Sequence, residues 1–301
     1  MVAMVGLSGP VQASHSDDHL MKPFVLASKA AGDMKAVVAD VTAKLKGAGF
    51  EIAGSYSPYP TATIIAVTND ALRAGVGKSY FGGYGAAQRV SVTSHKGEIQ
   101  VAYTNPTYMA SAYRMKDNLA DAAGRLAKAL GKRTEYGPAD KEAMNDDDLR
   151  DYHYMFGMED FTNHFEMAEH ASYQAAVDMV EKNLAKGVMG VTKVYRIDIP
   201  GKKETVFGVS MKGDTEKTKE QDDAYLMSEI DFKPVRSTAH LPYELLVSGA
   251  KVFSQSARFR IAINFPDLSM MGDNSLMNIM GSPDAIKEAL TETAGGKIKS
   301  W

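Results

Sequence analysis

The chain has 301 residues, 45% of them hydrophobic and 24% charged, with a formal net charge of -3. That length accommodates two domains with cores of their own, and the balance is that of a soluble globular protein. Acidic and basic residues are interspersed, so no basic field exists to neutralise a run of phosphates and nucleic acid is not an expected partner. The absence of Cys excludes thiol catalysis, disulfides, Cys-ligated zinc, iron–sulfur clusters and Cys-attached haem c.

The opening "MVAMVGLSGPVQASHSDD" reads as the end of an export signal: a short apolar run, a helix-breaking Gly9-Pro10, then Val11-Gln12-Ala13 as a small-x-small cleavage site. The expected location is periplasmic or secreted. No Lys or Arg precedes the apolar run, so the alternatives are a start further upstream or a frayed N-terminus. No later run approaches a membrane span, and no transmembrane segment is expected.

"FVLASKA" reads as a strand, and Asp33 can cap a helix with Val37, Val38, Val41 and Leu45 on its apolar face. "FEIAGSYS" and "TATIIAVT" follow as strands. "QRVSVTS" and "EIQVAYT" form a hairpin about His95-Lys96-Gly97. A helix with Leu119, Ala123, Leu126 and Leu130 ends at Gly131. Asn145 before Asp146, Asp147 and Asp148 is a cap followed by carboxylates at the positive end of a helix dipole, with Leu149, Tyr152 and Phe156 as its buried face. It lacks the spaced oxygen ligands of a calcium loop.

The second half repeats the order. "HFEMAEH" is strand-like, Ser172 caps a helix bearing Ala176, Val180 and Leu184, and Gly187 closes it. "VTKVYRID" and "ETVFGVSM" flank Pro200-Gly201, "YELLVS" and "ARFRIAINFP" match the earlier hairpin, and Ser282-Pro283-Asp284 opens a last helix. "VAYTNP" at 101–106 and "IAINFP" at 261–266 would then be the last strand of two copies. The expected fold class is α+β: two tandem β-α-β-β-β-β-α units, each a curved antiparallel sheet with helices on one face, packed as a pseudo-dimer with a cleft between the sheets or at the linker. The divisions are 1–20 signal or N-terminal segment, 21–132 first repeat, 133–160 linker helix region and 161–301 second repeat. The charged "KGDTEKTKEQDD" reads as a solvated loop or surface helix.

"TATIIAVTND" and "RVSVTSHKGEIQVAYTNPTYMASAYRM" resemble the conserved half of the bacterial domain of unknown function 302 family: an apolar strand, a hairpin with Gly at the turn, then a strand ending in aromatic-x-x-Pro. The resemblance covers residues 24–131 well and 160–295 more weakly, because Met211 to Lys233 reads as an insertion and Ile263 replaces Tyr103. It implies a fold similar to the TATA-binding-protein type and no established activity; a shared fold does not carry DNA binding with it.

Four features could carry chemistry. "GVGKSYFGGYG" has Leu72 where a phosphate-binding loop needs its first Gly, so it reads as a flexible crossover whose Tyr80 and Tyr84 could close over a ligand. His153, His164, Glu166 and His170, with Met155 and Met158 near them, form a His/Met cluster suited to Cu or Zn if they share a face; the bland alternative is a solvated sheet face. The Met total of 18 includes Met270, Met271, Met277 and Met280, thioethers that suit Cu(I) or simply fill a core. Arg258, Arg260 and Asn264 alternate along "ARFRIAINFP" as an anion-binding face, against the alternative of a solubilising exposed strand. No Gly-x-Ser-x-Gly elbow or His-Glu-x-x-His helix appears, and no catalytic residue is assigned. The leading expectation is an exported, non-catalytic binding or accessory protein for a small molecule or protein partner. The alternatives are a copper- or zinc-handling protein and an enzyme of unrecognised class.

Overall fold

The computed structural model describes residues 19–153, 159–216 and 218–297. The segment read as an export signal, residues 1–18, and Phe156 lie outside the described residues. Strand β1 (Phe24–Ala30) leads to α1 (Met34–Gly47), which starts where the Asp33 carboxylate accepts the Ala36 amide at 2.8 Å. Strands β2 (Glu51–Tyr56) and β3 (Ala62–Thr68) follow, then a crossover containing α2 (Asp70–Val76) and a 3-10 turn at Gly82–Gly85. Strands β4 (Gln88–His95) and β5 (Glu98–Thr104) form the expected hairpin, with Lys96 and Gly97 at positive φ in its turn. Helices α3 (Pro106–Ala112) and α4 (Ala120–Leu130) complete this unit. Residues Thr134–Tyr136, expected in the linker, instead pair with β1 as an edge strand, β6. Asn145 caps α5 (Asp146–Arg150) as its sequence requires, and Leu149 is buried.

The second unit runs β7 (Phe165–Glu169), α6 (Tyr173–Lys186), β8 (Val191–Asp198) and β9 (Glu204–Met211). It continues through a longer crossover with α7 (Asp223–Ile230) and a 3-10 turn at Thr238–His240, then β10 (Tyr243–Ser248), β11 (Lys251–Ser254), α8 (Ala257–Asn264) and α9 (Ser282–Thr293). The stretch read as an insertion is therefore the counterpart of the first crossover. Both sheets are antiparallel. Their orders are β2-β3-β4-β5-β1-β6 and β8-β9-β10-β11-β7, the same arrangement with one extra edge strand in the first. The protein is thus α+β with two sheets consistent with internal duplication.

One part of the repeat needs correction. The partner of "YELLVS" is β11, "KVFS", and "ARFRIAIN" is helix α8. Val92 pairs with Val101 and Val247 with Val252, so the counterpart of "VAYTNP" begins at Val252 rather than Ile261. Strand-like alternation misled because seven of the eight residues in α8 are buried, so no polar face marks the helical period. What starts the helix is Ser256, whose Oγ accepts the Phe259 amide at 3.5 Å.

Each sheet buries one face against helices. Val90, Val92 and Val101 pack with Val41, Leu45 and Leu126 of α1 and α4, and Leu245, Val247 and Val252 pack with Val180, Leu184 and Leu290 of α6 and α9. A fully buried side chain such as Leu45 contributes about 1.5–3 kcal/mol. The opposite faces carry Arg89, Ser91 and Thr93 on β4 and Glu244 on β10, and these turn toward each other. The crossovers fill the space between reciprocally: Gly83 reaches Glu204 on the second sheet, and Thr238 reaches Thr93 on the first.

Candidate functional site

On the helix-free faces β4 presents Arg89, Ser91 and Thr93 and β10 presents Glu244, and the two faces are set together. The result is a buried polar seam. Arg89 on β4 and Glu244 on β10 occupy equivalent registers, opposite Ala66 and Gly208, and Arg89 Nη1 lies 3.9 Å from Glu244 Oε2. Glu244 also forms an ion pair with Arg260, whose Nη1 lies 3.2 Å from its Oε2, and accepts the Tyr195 hydroxyl at 2.7 Å on Oε1. The Tyr195 ring can lie over β9 only because residue 208 is Gly; a Cβ there would occupy the ring's place. Arg260 donates to Pro242 O at 2.9 Å and His240 O at 2.7 Å, and its guanidinium stands 4.6 Å from the Tyr243 ring centroid. Asn264, one turn further along α8, donates to His240 Nδ1 at 3.0 Å. Burial, followed by the two arginines, pushes the His240 imidazole well below its ordinary range, so it is the neutral acceptor that this bond requires.

At one side the seam opens into a cleft of about 350 Å³ between the ends of β3 and β4 and the second crossover. It is lined by Tyr59, Thr61, Thr93, Ser94 and His95 from the first unit and by Met227, Ser228, Asp231 and Arg236 from the second. Thr238 stands behind it: its hydroxyl lies 3.2 Å from the Tyr59 hydroxyl and 2.9 Å from that of Thr93, and it donates to Asp231 Oδ2 at 3.5 Å. The other Asp231 oxygen accepts the Ser237 amide at 2.8 Å. Burial raises the Asp231 carboxyl to about 7 despite these bonds. Arg236 donates to the Asp231 carbonyl and lies 3.2 Å from His95 Nδ1, and burial followed by Arg236 lowers the His95 pKa. Among the described residues no carboxylate stands within salt-bridge distance of Arg236.

None of the five residues read from sequence as ligand-binding lines this cleft. Tyr80 is 75% exposed, whereas Tyr84 is buried. The Gly-rich crossover is pinned rather than open, with the Gly83 amide donating to Glu204 Oε1 at 2.9 Å. Arg258 points away from Arg260, toward Glu159 at 3.3 Å and Asp284 at 3.9 Å, because helical rather than strand periodicity sets their directions. Arg260 and Asn264 do come together, in the seam and not on an exposed sheet face.

Among the described residues, the side chains read as metal ligands do not come together. Strand β7 begins after His164 and ends before His170, and it carries a bulge at Met167, so the shared face is lost. His153 lies 3.9 Å from Asp151 and 3.8 Å from Asp160; Glu166 pairs with Lys251 at 2.8 Å; His170 Nε2 lies 2.9 Å from Ala294 O. His164 sits among the rings of Phe81, Tyr84 and Phe161, and burial lowers it to about 4. Among the described residues no group of three or more His, Cys, Asp or Glu is placed to hold a metal. Met155 and Met158 lie outside the described residues.

The cleft residues that sequence reasoning missed had one weak signal, the run of hydroxyls alternating along β4. Asp231 and Arg236 had none, since they fall at the end of the segment read as an insertion and just after it.

No family model matches the chain, and no curated protein matches it. Among solved structures, the crystal structure of an uncharacterized conserved protein DUF302 from Bacillus stearothermophilus is similar to it at 20% identity and a TM-score of 0.33, over 36% of this chain and 94% of that one. It belongs to the family that the sequence resembles.

Proposed function

We propose that the protein is a non-catalytic binding protein that takes a small hydroxylated organic acid in the cleft between its two units. The observation that carries this is Arg236, a guanidinium with no carboxylate within salt-bridge distance among the described residues, set in a hydroxyl-lined cavity to which both units contribute. A guanidinium fork matches a carboxylate, and the hydroxyls of Thr61, Ser94 and Ser228 offer both donors and acceptors to a polyol. The cavity's 350 Å³ is at the lower end of small-ligand pockets. The Tyr59, Thr93 and Thr238 hydroxyls are committed to one another and to Asp231, which suits them to hold the cavity's shape rather than to attack a substrate.

The test is a thermal-shift panel of glycolate, malate, gluconate and their uncharged alcohol analogues against the full chain and Arg236→Gln. A carboxylate-dependent rise in Tm that the variant lacks supports the proposal; no rise with any acid, or an equal rise in the variant, contradicts it. Export belongs to the same proposal, and N-terminal sequencing of protein recovered from the periplasm tests it.

A further inference from the structure

Methionine fills cores because its thioether is flexible and apolar, so a solvent-facing cluster of methionines calls for another explanation. The loop between α8 and α9 carries four: Met270, Met271, Met277 and Met280 are 51%, 74%, 52% and 66% exposed. The loop is held in shape. Its limbs are joined by Leu276 N to Ser269 O at 2.9 Å and Met277 N to Met270 O at 3.3 Å. It is tied to α7 by Asn274 Nδ2 to Glu229 O at 3.1 Å, Asn278 Nδ2 to Glu229 Oε2 at 2.9 Å and the Tyr225 hydroxyl to Asn278 O at 3.0 Å.

Two relationships bring the backbones of these methionines together. The direct backbone bond makes Met270 and Met277 neighbours across the limbs. Met277 and Met280 are three apart around the 3-10 turn Leu276–Ile279, where residues at that spacing eclipse, while Ile279 points into the core. Three soft sulfurs thus stem from adjacent backbone positions on a braced loop.

We propose that Met270, Met277 and Met280 form a surface site for a soft monovalent cation, Cu(I) or its redox-inert analogue Ag(I). Thioether sulfur selects such ions over Zn(II), Mg(II) or Ca(II), which want imidazole, thiolate or oxygen. The loop's Asn side chains are engaged with Glu229, so they brace the loop rather than compete as hard ligands. The site is separate from the inter-unit cleft, and it holds or fails independently of the organic-acid proposal.

The experiment is an anaerobic Cu(I) titration of the full chain against a chromophoric chelator, repeated with Met270→Leu/Met277→Leu/Met280→Leu and with His164→Gln/His170→Gln. Ag(I) titration of methyl-labelled methionine, read by NMR, locates the ion. The expected result is retention of Cu(I) weakened by at least ~10-fold in the methionine variant, no change in the histidine variant, and Ag(I)-induced shifts confined to this loop. Leucine conserves volume at exposed positions, and circular dichroism verifies that the variant is folded. No retention of Cu(I), equal retention in the methionine variant, or shifts at other methionines would overturn the proposal; the first of these would leave contact with another protein as the reason for the patch.

Discussion

Arg89 and Glu244 occupy equivalent positions in the two sheets and lie 3.9 Å apart, so one shared register holds opposite charges that face each other across the seam. Two carboxylates or two guanidinia buried at that distance would repel, so opposite charges at this register favour burying the helix-free faces together. Glu244 answers two guanidinia, and removing its charge leaves both in low dielectric. Glu244→Gln should therefore cost about 3–5 kcal/mol of unfolding free energy in urea. Arg89→Met combined with Glu244→Leu should cost less than the sum of the single changes, and strict additivity would show that the pair is not coupled.

Asp231 gives the cleft a pH dependence of defined sign. Its folded pKa is raised from 3.8 to about 7, so the folded state favours the neutral carboxyl. That contribution to stability is fully present below the unfolded value of 3.8 and is lost as pH rises to about 7. Asp223, also buried and raised to about 7, acts in the same direction. Asp231→Asn should become progressively more stable relative to the native sequence as pH rises through this window. A stability difference that does not vary with pH would refute the assignment.

His164 has the opposite sign. Burial lowers its imidazole from 6.5 to about 4, so the stability it contributes is present above 6.5 and lost as pH falls through about 4. Both ring nitrogens are buried without a hydrogen-bond partner, which makes protonation within the ring cluster costly. His164→Phe should reduce the loss of stability on acidification, as read from Tm at several pH values. An acid limb as steep as that of the native sequence would count against it.

The Gly-rich crossover acts by proximity rather than mobility. A Cβ at Gly83 would stand 2.6 Å from Leu246 Cδ1 and 2.8 Å from Glu204 Oε1. Gly83→Ala should destabilise the chain by about 1–3 kcal/mol. A neutral outcome in urea unfolding would show that the crossover is not packed on the second sheet.

Much of this fold is written in local chemistry. The Asp33, Asn145 and Ser172 caps, the Gly187 stop and the Lys96-Gly97 turn were all legible, because each depends on one side chain and its near neighbours. Helix α8 was not, since full burial erases the amphipathic pattern that distinguishes a helix from a strand. The error moved the copy-to-copy alignment and with it Arg260, placing in solvent a guanidinium that is buried. The cleft was illegible for a different reason: Thr93 and Asp231 are 138 positions apart in sequence and meet through Thr238 only when the two units dock. The histidine cluster illustrates the converse, since nearness in sequence did not bring those imidazoles together.

If the inter-unit cleft takes a small hydroxylated acid through Arg236, as proposed, backbone amide NMR during titration with gluconate and malate should show shifts concentrated at Thr61, Ser94, His95, Ser228 and Arg236, and their loss in Arg236→Gln. Shifts that fall elsewhere, or that persist unchanged in the variant, would contradict the proposal.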